Sequence, residues 1–307
     1  MIRFNLKHNM MGFSLRKILN YIFISLCFIA FTLAMIPLIW ILAETIIRGI
    51  SALSIELLLN TAKPPGTPGG GIANYIQGTI ILVAIASLIG FPFGLLLGIF
   101  LSEYKEHKLA PYIRFFVEVF AEFPAIVIGI FIYVTIVRGD IFRLFGVEKI
   151  CISSFCLGPT GFATIAGAIS LALLMIPIVA KAVEESLKLV PTSIKEAALS
   201  LGMSKVRSIF SISISYARSG ILLAYILALS RIAGEAAPLL LTVLGSFYWF
   251  TGLFDRIGAL PLAIFTYGVS PYEDYRAQAW AASLLLILAI LFLNIGLKII
   301  IRKRYSW

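Results

Sequence analysis

The chain predicts an all-α integral membrane protein with six transmembrane helices and both termini on the cytosolic side (N-in/C-in). Three observations lead there. Apolar residues make up 60% of the 307 positions and charged residues 13%, with a mean hydropathy of +1.01. Soluble domains hold about 45–50% apolar and about 25% charged residues. Six apolar runs, at 18–43, 72–101, 115–137, 161–180, 217–243 and 277–300, approach or exceed the roughly 20 residues that cross a bilayer. With the N-terminus inside, the inner segments hold sixteen Lys and Arg residues and the outer ones seven, as the positive-inside rule requires.

The elements follow in order. The run at 18–43 follows Arg16 and Lys17. It exceeds the roughly 7–15 residues of a signal-peptide core and ends without a small-x-small cleavage site, so it reads as a retained anchor. Leu26 before Cys27 does not suit a lipoprotein site. From Glu44 to Gly71 runs an external loop that ends in a Pro- and Gly-rich stretch at 63–71, which forbids regular structure. Residues 1–71 therefore form a cytosolic N-terminus, anchor helix and external loop, and 72–303 a five-helix remainder. Gly69, Gly70 and Gly71 suit a hinge, or a backbone nest for an anion.

The third run carries Glu118 and Glu122 at its inner edge, and the fourth contains Pro177. Between them, 138–160 has room for a short surface helix at 141–145, and it holds Cys151 and Cys156, which could pair. The aromatic loop 244–276, with Tyr248, Trp249, Tyr267 and Tyr275, belongs in part at the outer headgroup level. Ten-residue dyad alternation, the mark of a barrel strand, is missing. The net charge of +10 follows from topology, so no nucleic-acid partner is expected; membrane lipid is the surrounding solvent. His8 and His107 lie on the cytosolic side, far from the outer cysteines, and no metal site or cofactor is expected.

The cytosolic segment 181–215 carries the first functional signal. Pro191 stops the preceding helix, and Ser193 with Glu196 three residues on forms a capping box. A short helix then runs through Glu196, Ala197 and Ala198, and Gly202 closes it in the left-handed conformation. One reading is a plain helical hairpin; the other is a surface gripped by a soluble partner. Glu-Ala-Ala-x-x-x-Gly, then nine residues, then Ile212-Ser213-Ile214 resembles the EAA loop of ABC importer permeases. Ser215 stands where that family has proline. The resemblance implies a coupling role for Glu196, Ala197, Ala198 and Gly202, seated on an ATP-binding subunit. No Gly-x-x-x-x-Gly-Lys-[Ser/Thr] occurs in the chain, so a partner would supply the ATPase.

The second signal is a charge pair in the fifth run. Arg231 is the midpoint of 221–241, and Glu235 lies four residues on, on the same face of a continuous helix. A charge at that depth costs about 2.5–3.5 kcal/mol on insertion scales. Either the two residues cancel each other's desolvation, or they line a translocation path in which the guanidinium fork attracts an oxyanion. Pro238 loosens the helix beside them.

The segment Arg231-Ile232-Ala233-Gly234-Glu235-Ala236-Ala237-Pro238-Leu239-Leu240 resembles the fifth span of phosphate-specific ABC permeases of the PstA type. So do Pro-Gly-Gly-Gly-Ile-Ala-Asn at 68–74, Glu122-Phe123-Pro124-Ala125 and Val190-Pro191. Ala236 and Ala125 stand where that family often has Thr and Ser. The resemblance spans about 65–303. It implies a type-1 ABC importer permease fold over 72–303 and import of inorganic phosphate without covalent chemistry. It also implies a homologous PstC-type permease, two PstB-type ATP-binding subunits and a PstS-type extracytoplasmic binding protein. The alternatives are a permease for molybdate, tungstate or sulfate, and an ion-gradient-driven secondary transporter. A membrane enzyme would want a clustered His, Cys or carboxylate site.

Overall fold

The computed structural model describes residues 6–67, 69–140, 150–152, 155–157 and 160–305. Five of its helices are long and apolar enough to cross a membrane, and a bent pair makes a sixth. The expected short helix at 141–145 lies outside the described residues.

Helix α1 (Leu6–Ala52) is longer than the sequence implied. Its apolar window projects from the body of the chain without being covered by it, as suits lipid on every side. It meets the bundle near its C-terminal end, where Arg48 lies 5.4 Å over the Trp280 ring. Because α1 continues to Ala52, and α2 (Ile55–Leu59) follows at once, the expected loop from Glu44 shrinks to its Pro/Gly-rich second half. Ser54 caps α2 through the Leu57 N–H, one of the donors a helix start leaves open.

The spine of the bundle is α3 (Ala73–Glu103) against α6 (Thr164–Lys188). Gly90, Gly94 and Gly98 recur every fourth residue on the α3 face that meets α6. A Cβ at Gly94 would fall 2.7 Å from the Val179 Cβ, and one at Gly98 2.7 Å from the Ala180 carbonyl. Small residues at this spacing let two backbones approach where lipid offers no hydrophobic drive.

The third span is two helices, not one. α4 (Ala110–Glu122) and α5 (Ala125–Ile132, continuing as a π-turn through Val137) meet at 103°. The bend comes from Phe123 and Pro124, both extended at ψ 132 and 134; proline forces its predecessor out of the α region. After a two-stranded hairpin (β1 Ile150–Ile152, β2 Phe155–Leu157), whose register sets Cys151 opposite Cys156, the chain enters α6. Loop carbonyls of Asp255 and Leu253 accept the N–H groups of Thr164 and Ile165, closing that helix start.

Next come α7 (Thr192–Ser200), α8 (Lys205–Ser208), a π-turn at Ile209–Ser213, and α9 (Ile214–Ala233). A six-residue helix α10 (Ala237–Thr242), α11 (Leu260–Gly268) and the last span α12 (Glu273–Tyr305) complete the chain. At the α2 end, α3 side chains satisfy loop backbone. The Asn74 amide donates to the Ser246 carbonyl, and its oxygen accepts from Ala62 N–H, both at 3.0 Å. Gln77 accepts from Phe250 N–H at 3.0 Å and Thr79 from Leu260 N–H at 2.8 Å. The aromatic loop is therefore part of the folded core at this end. Tyr267 and Tyr275 are buried and stacked at 4.0 Å, whereas Tyr248 and Trp249 of the same loop are exposed.

Candidate functional site

The sequence-selected residues fall in two places. The first is α7. It begins at Thr192 with Pro191 at the cap position, and no side chain caps it. The expected capping box is not formed, because Pro191 turns the chain one residue early and puts Ser193 inside the helix. The Pro191 carbonyl accepts from Ile194 N–H instead. The other end is as expected. Gly202 has φ +83, its N–H bonds to the Leu199 carbonyl, and Met203 N–H bonds to the Ala198 carbonyl, which is a Schellman closure. Glu196 and Ala197 point outward beside Leu199 and Leu201, the last 86% exposed; Ala198 is buried against the rest of the chain. The exposed face here is thus Glu196, Ala197 and the two leucines, and Ala198 packs behind it.

The second place is the end of α9. The helix stops at Ala233, Gly234 caps it, and α10 starts only at Ala237. Arg231 therefore lies in the last turn rather than at the middle of a continuous span, and Glu235 lies in the break. The i,i+4 geometry assumed from the sequence does not exist here. None of the ion pairs and side-chain hydrogen bonds among the described residues involves either residue, and Arg231 is exposed. The Arg231–Glu235 ion pair expected on one helix face is not formed. The break packs against the other broken span: a Cβ at Gly129 of α5 would meet the Pro238 Cα at 2.7 Å. Next to Arg231, Ser230 accepts from the Asn294 amide of α12 at 3.0 Å. Glu118 and Glu122 are exposed on α4.

Of the three glycine amides, that of Gly71 is already engaged, donating to the Thr61 carbonyl at 2.9 Å. A cavity of about 1030 Å³ opens at the α2 end, lined by residues that include Tyr75, Trp249, Asp255, Arg256 and Tyr267. The Tyr75 and Tyr267 hydroxyls share a hydrogen bond of 2.8 Å. Burial, reinforced by Tyr75, pushes the Tyr267 phenol above its ordinary range. Among the described residues no cluster of three His, Cys, Asp or Glu side chains could hold a metal ion.

Residues 90–304 match the model of the binding-protein-dependent transport system inner membrane component family. The chain belongs to that family. A phosphate transport system permease protein PstA of Yersinia pestis is 41% identical over 87% of this chain and 84% of its own. The PstA of Pasteurella multocida is 36% identical over 94% of this chain and 96% of its own. A chain of a bacterial alginate ABC transporter shares the fold, with a TM-score of 0.68 at 13% identity over 95% of this chain and 96% of that one. The binding-protein-dependent permease described here is thus a multi-pass inner-membrane transport subunit with a type-1 ABC importer fold, acting with other subunits of such a system.

Sequence reasoning missed the partners of α7 and α8. Lys195 Nζ lies 2.7 Å from Glu103 Oε1, and Lys205 Nζ lies 4.0 Å from the Tyr104 ring centroid. The lysines were visible. Their partners, 92 and 101 positions away in sequence, were not.

Proposed function

We propose that this chain is the permease subunit of an ATP-driven importer that moves inorganic phosphate across the cytoplasmic membrane. Arg231 is the charge that phosphate meets on the path, and Glu235 is its neighbour in the same break. The single observation carrying this reading is the exposed Arg231, without a partner among the described residues, at a joint where two broken spans meet. Interrupted helices are tolerated at membrane depth only where protein or a water-filled path covers them. A guanidinium presents paired donors suited to a tetrahedral oxyanion. The likeness to proteins named as phosphate permeases supports phosphate as that oxyanion.

In this reading both termini are cytosolic, residues 1–71 form the anchor and external loop, and 72–303 form the transport domain. A PstC-type permease covers the broken-span face. Two PstB-type subunits bind ATP, one of them seated on Glu196, Ala197 and Leu201, with Ala198 and Gly202 holding that face in shape. A PstS-type protein delivers phosphate from outside. ATP binding draws the coupling helices together, and the spans reorient around the joint.

The test is uptake of labelled phosphate by vesicles holding the whole complex. Uptake should require ATP. Arg231→Gln should lower it about tenfold to a hundredfold, the equivalent of one charge-assisted hydrogen bond of roughly 1.5–3 kcal/mol, while the ATP-binding subunit still co-purifies. Full uptake by the variant would make Arg231 structural. Import of molybdate or sulfate in preference to phosphate would reassign the cargo, and uptake driven by an ion gradient without ATP would refute the importer reading.

A further inference from the structure

We propose that Lys195 and Lys205 clamp the end of α3, and that this clamp carries displacement of α7 into the membrane. The inference rests on the reading of α7 as the docking helix. The chain itself ties α7 to α6 only through residues 189–191, and to α8 through 201–204. Beyond the packing of Ala198, a helix held by two short linkers has room to shift without moving the long spans. The two lysines remove that freedom.

They flank the Gly202 turn, one from α7 and one from α8, and converge on Glu103, the last residue of α3, and Tyr104, its C-cap. Lys195 meets Glu103 at 2.7 Å, with the side chains only 22% and 8% exposed. Surface pairs are screened and worth little, as Arg276 and Glu273 at 47% and 93% exposure illustrate. A shielded pair differs, because parting it leaves Glu103 charged and without water. Moving together is therefore cheaper than separating. Lys205 stands over the Tyr104 ring, within cation–π range, and Tyr104 stacks on Phe100 one turn back at 5.8 Å.

From there the load has somewhere to go. Gly94 and Gly98 hold α3 against α6 at backbone distance. Arg114 of α4 donates to the Leu101 carbonyl at 3.3 Å and to Glu184 of α6 at 2.6 Å. A pull on α7 thus reaches the end of α3 and, through Arg114, the first half of the broken span.

The experiment uses the complete complex in proteoliposomes and reads phosphate imported per ATP hydrolysed. Glu103→Gln should lower that ratio about fivefold or more while the ATP-binding subunit still co-purifies. The swap Lys195→Glu with Glu103→Lys should recover at least half of the loss, which a plain packing defect would not allow. An unchanged ratio in Glu103→Gln, or a swap that recovers nothing, overturns the clamp. If Glu103→Gln does not assemble, Tyr104→Leu removes the ring and keeps the ion pair; the ratio should fall again, and an unchanged ratio overturns the proposal. Ala197→Glu tests the docking reading separately. It should strip the ATP-binding subunit from the complex, and undiminished co-purification would remove the docking reading on which the clamp rests.

Discussion

α3 and α6 run unbroken for 31 and 25 residues and press their backbones together, whereas the spans beside Arg231 are each cut in two. In the first pair each helix stays continuous through an internal proline, Pro92 or Pro177, that removes one peptide donor, and the contact is made by glycine. In the second, Phe123 and Pro124 open one helix and Gly234 to Ala236 open the other, leaving an arginine without a partner among the described residues. The difference separates two tasks. A pair that cannot slip is suited to transmit a movement, and a pair with joints is suited to change shape around a substrate. The clamp on Glu103 and Tyr104 belongs to the first pair, and Arg231 to the second.

The largest expected effect comes from loosening the rigid pair. Gly94→Leu would place a branched side chain where even a Cβ falls 2.7 Å from Val179. Overpacking of this kind costs about 1–3 kcal/mol and occasionally more, and here no side-chain tip can swing aside because the Ile176 carbonyl lies equally near, at 2.9 Å. The folded subunit should largely disappear from purified membranes. A melting temperature equal to that of the unaltered protein would mean that α3 and α6 are not the spine.

Much of this architecture was legible in the sequence, and what was not has a physical reason. Hydropathy marked α3, α6 and α12 because a helix at membrane depth is apolar along its length whether lipid or, as for most of α6, protein covers it. Gly202 was legible because a left-handed cap is a local requirement. Pro124 and Pro238 were visible, but a proline only permits a bend; the 103° angle depends on what packs against it, and that includes Gly129 meeting Pro238. The supposed Arg231–Glu235 face assumed a continuous helix, which Gly234 ends. The capping box failed because Pro191 and Ser193 competed for the same helix start. The burial of Tyr267 and Tyr275 was not legible residue by residue, because it depends on their stacking on each other and on the bond from Tyr267 to the distant Tyr75.

An intermediate effect should follow from mending a joint. Pro124→Ala returns an N–H to the backbone and releases Phe123 from its extended conformation, so α4 and α5 can approach a single straight helix. That would pull Gly129 away from Pro238 and shift the surroundings of Arg231. The subunit should fold and assemble, yet phosphate uptake should fall about tenfold, in the range of mutations that alter coupling between sites. Unchanged uptake would show that the bend is incidental and that the two helix pairs do not divide the work.

The smallest effect tests the element that feeds the rigid pair. Gly202 adopts φ +83 with nothing within 4 Å of a Cβ added there, so Gly202→Ala is resisted by backbone strain alone, about 1 kcal/mol for an L-residue in that region. The loss falls on the Schellman bonds from Gly202 and Met203 to the end of α7. Hydrogen exchange should quicken several-fold at those two amides and along the last turn, while protection of α3 and α6 stays the same. If exchange in α3 quickened equally, the turn and the spine would be one cooperative unit, and α7 would not be a separate element that needs two lysines to hold it.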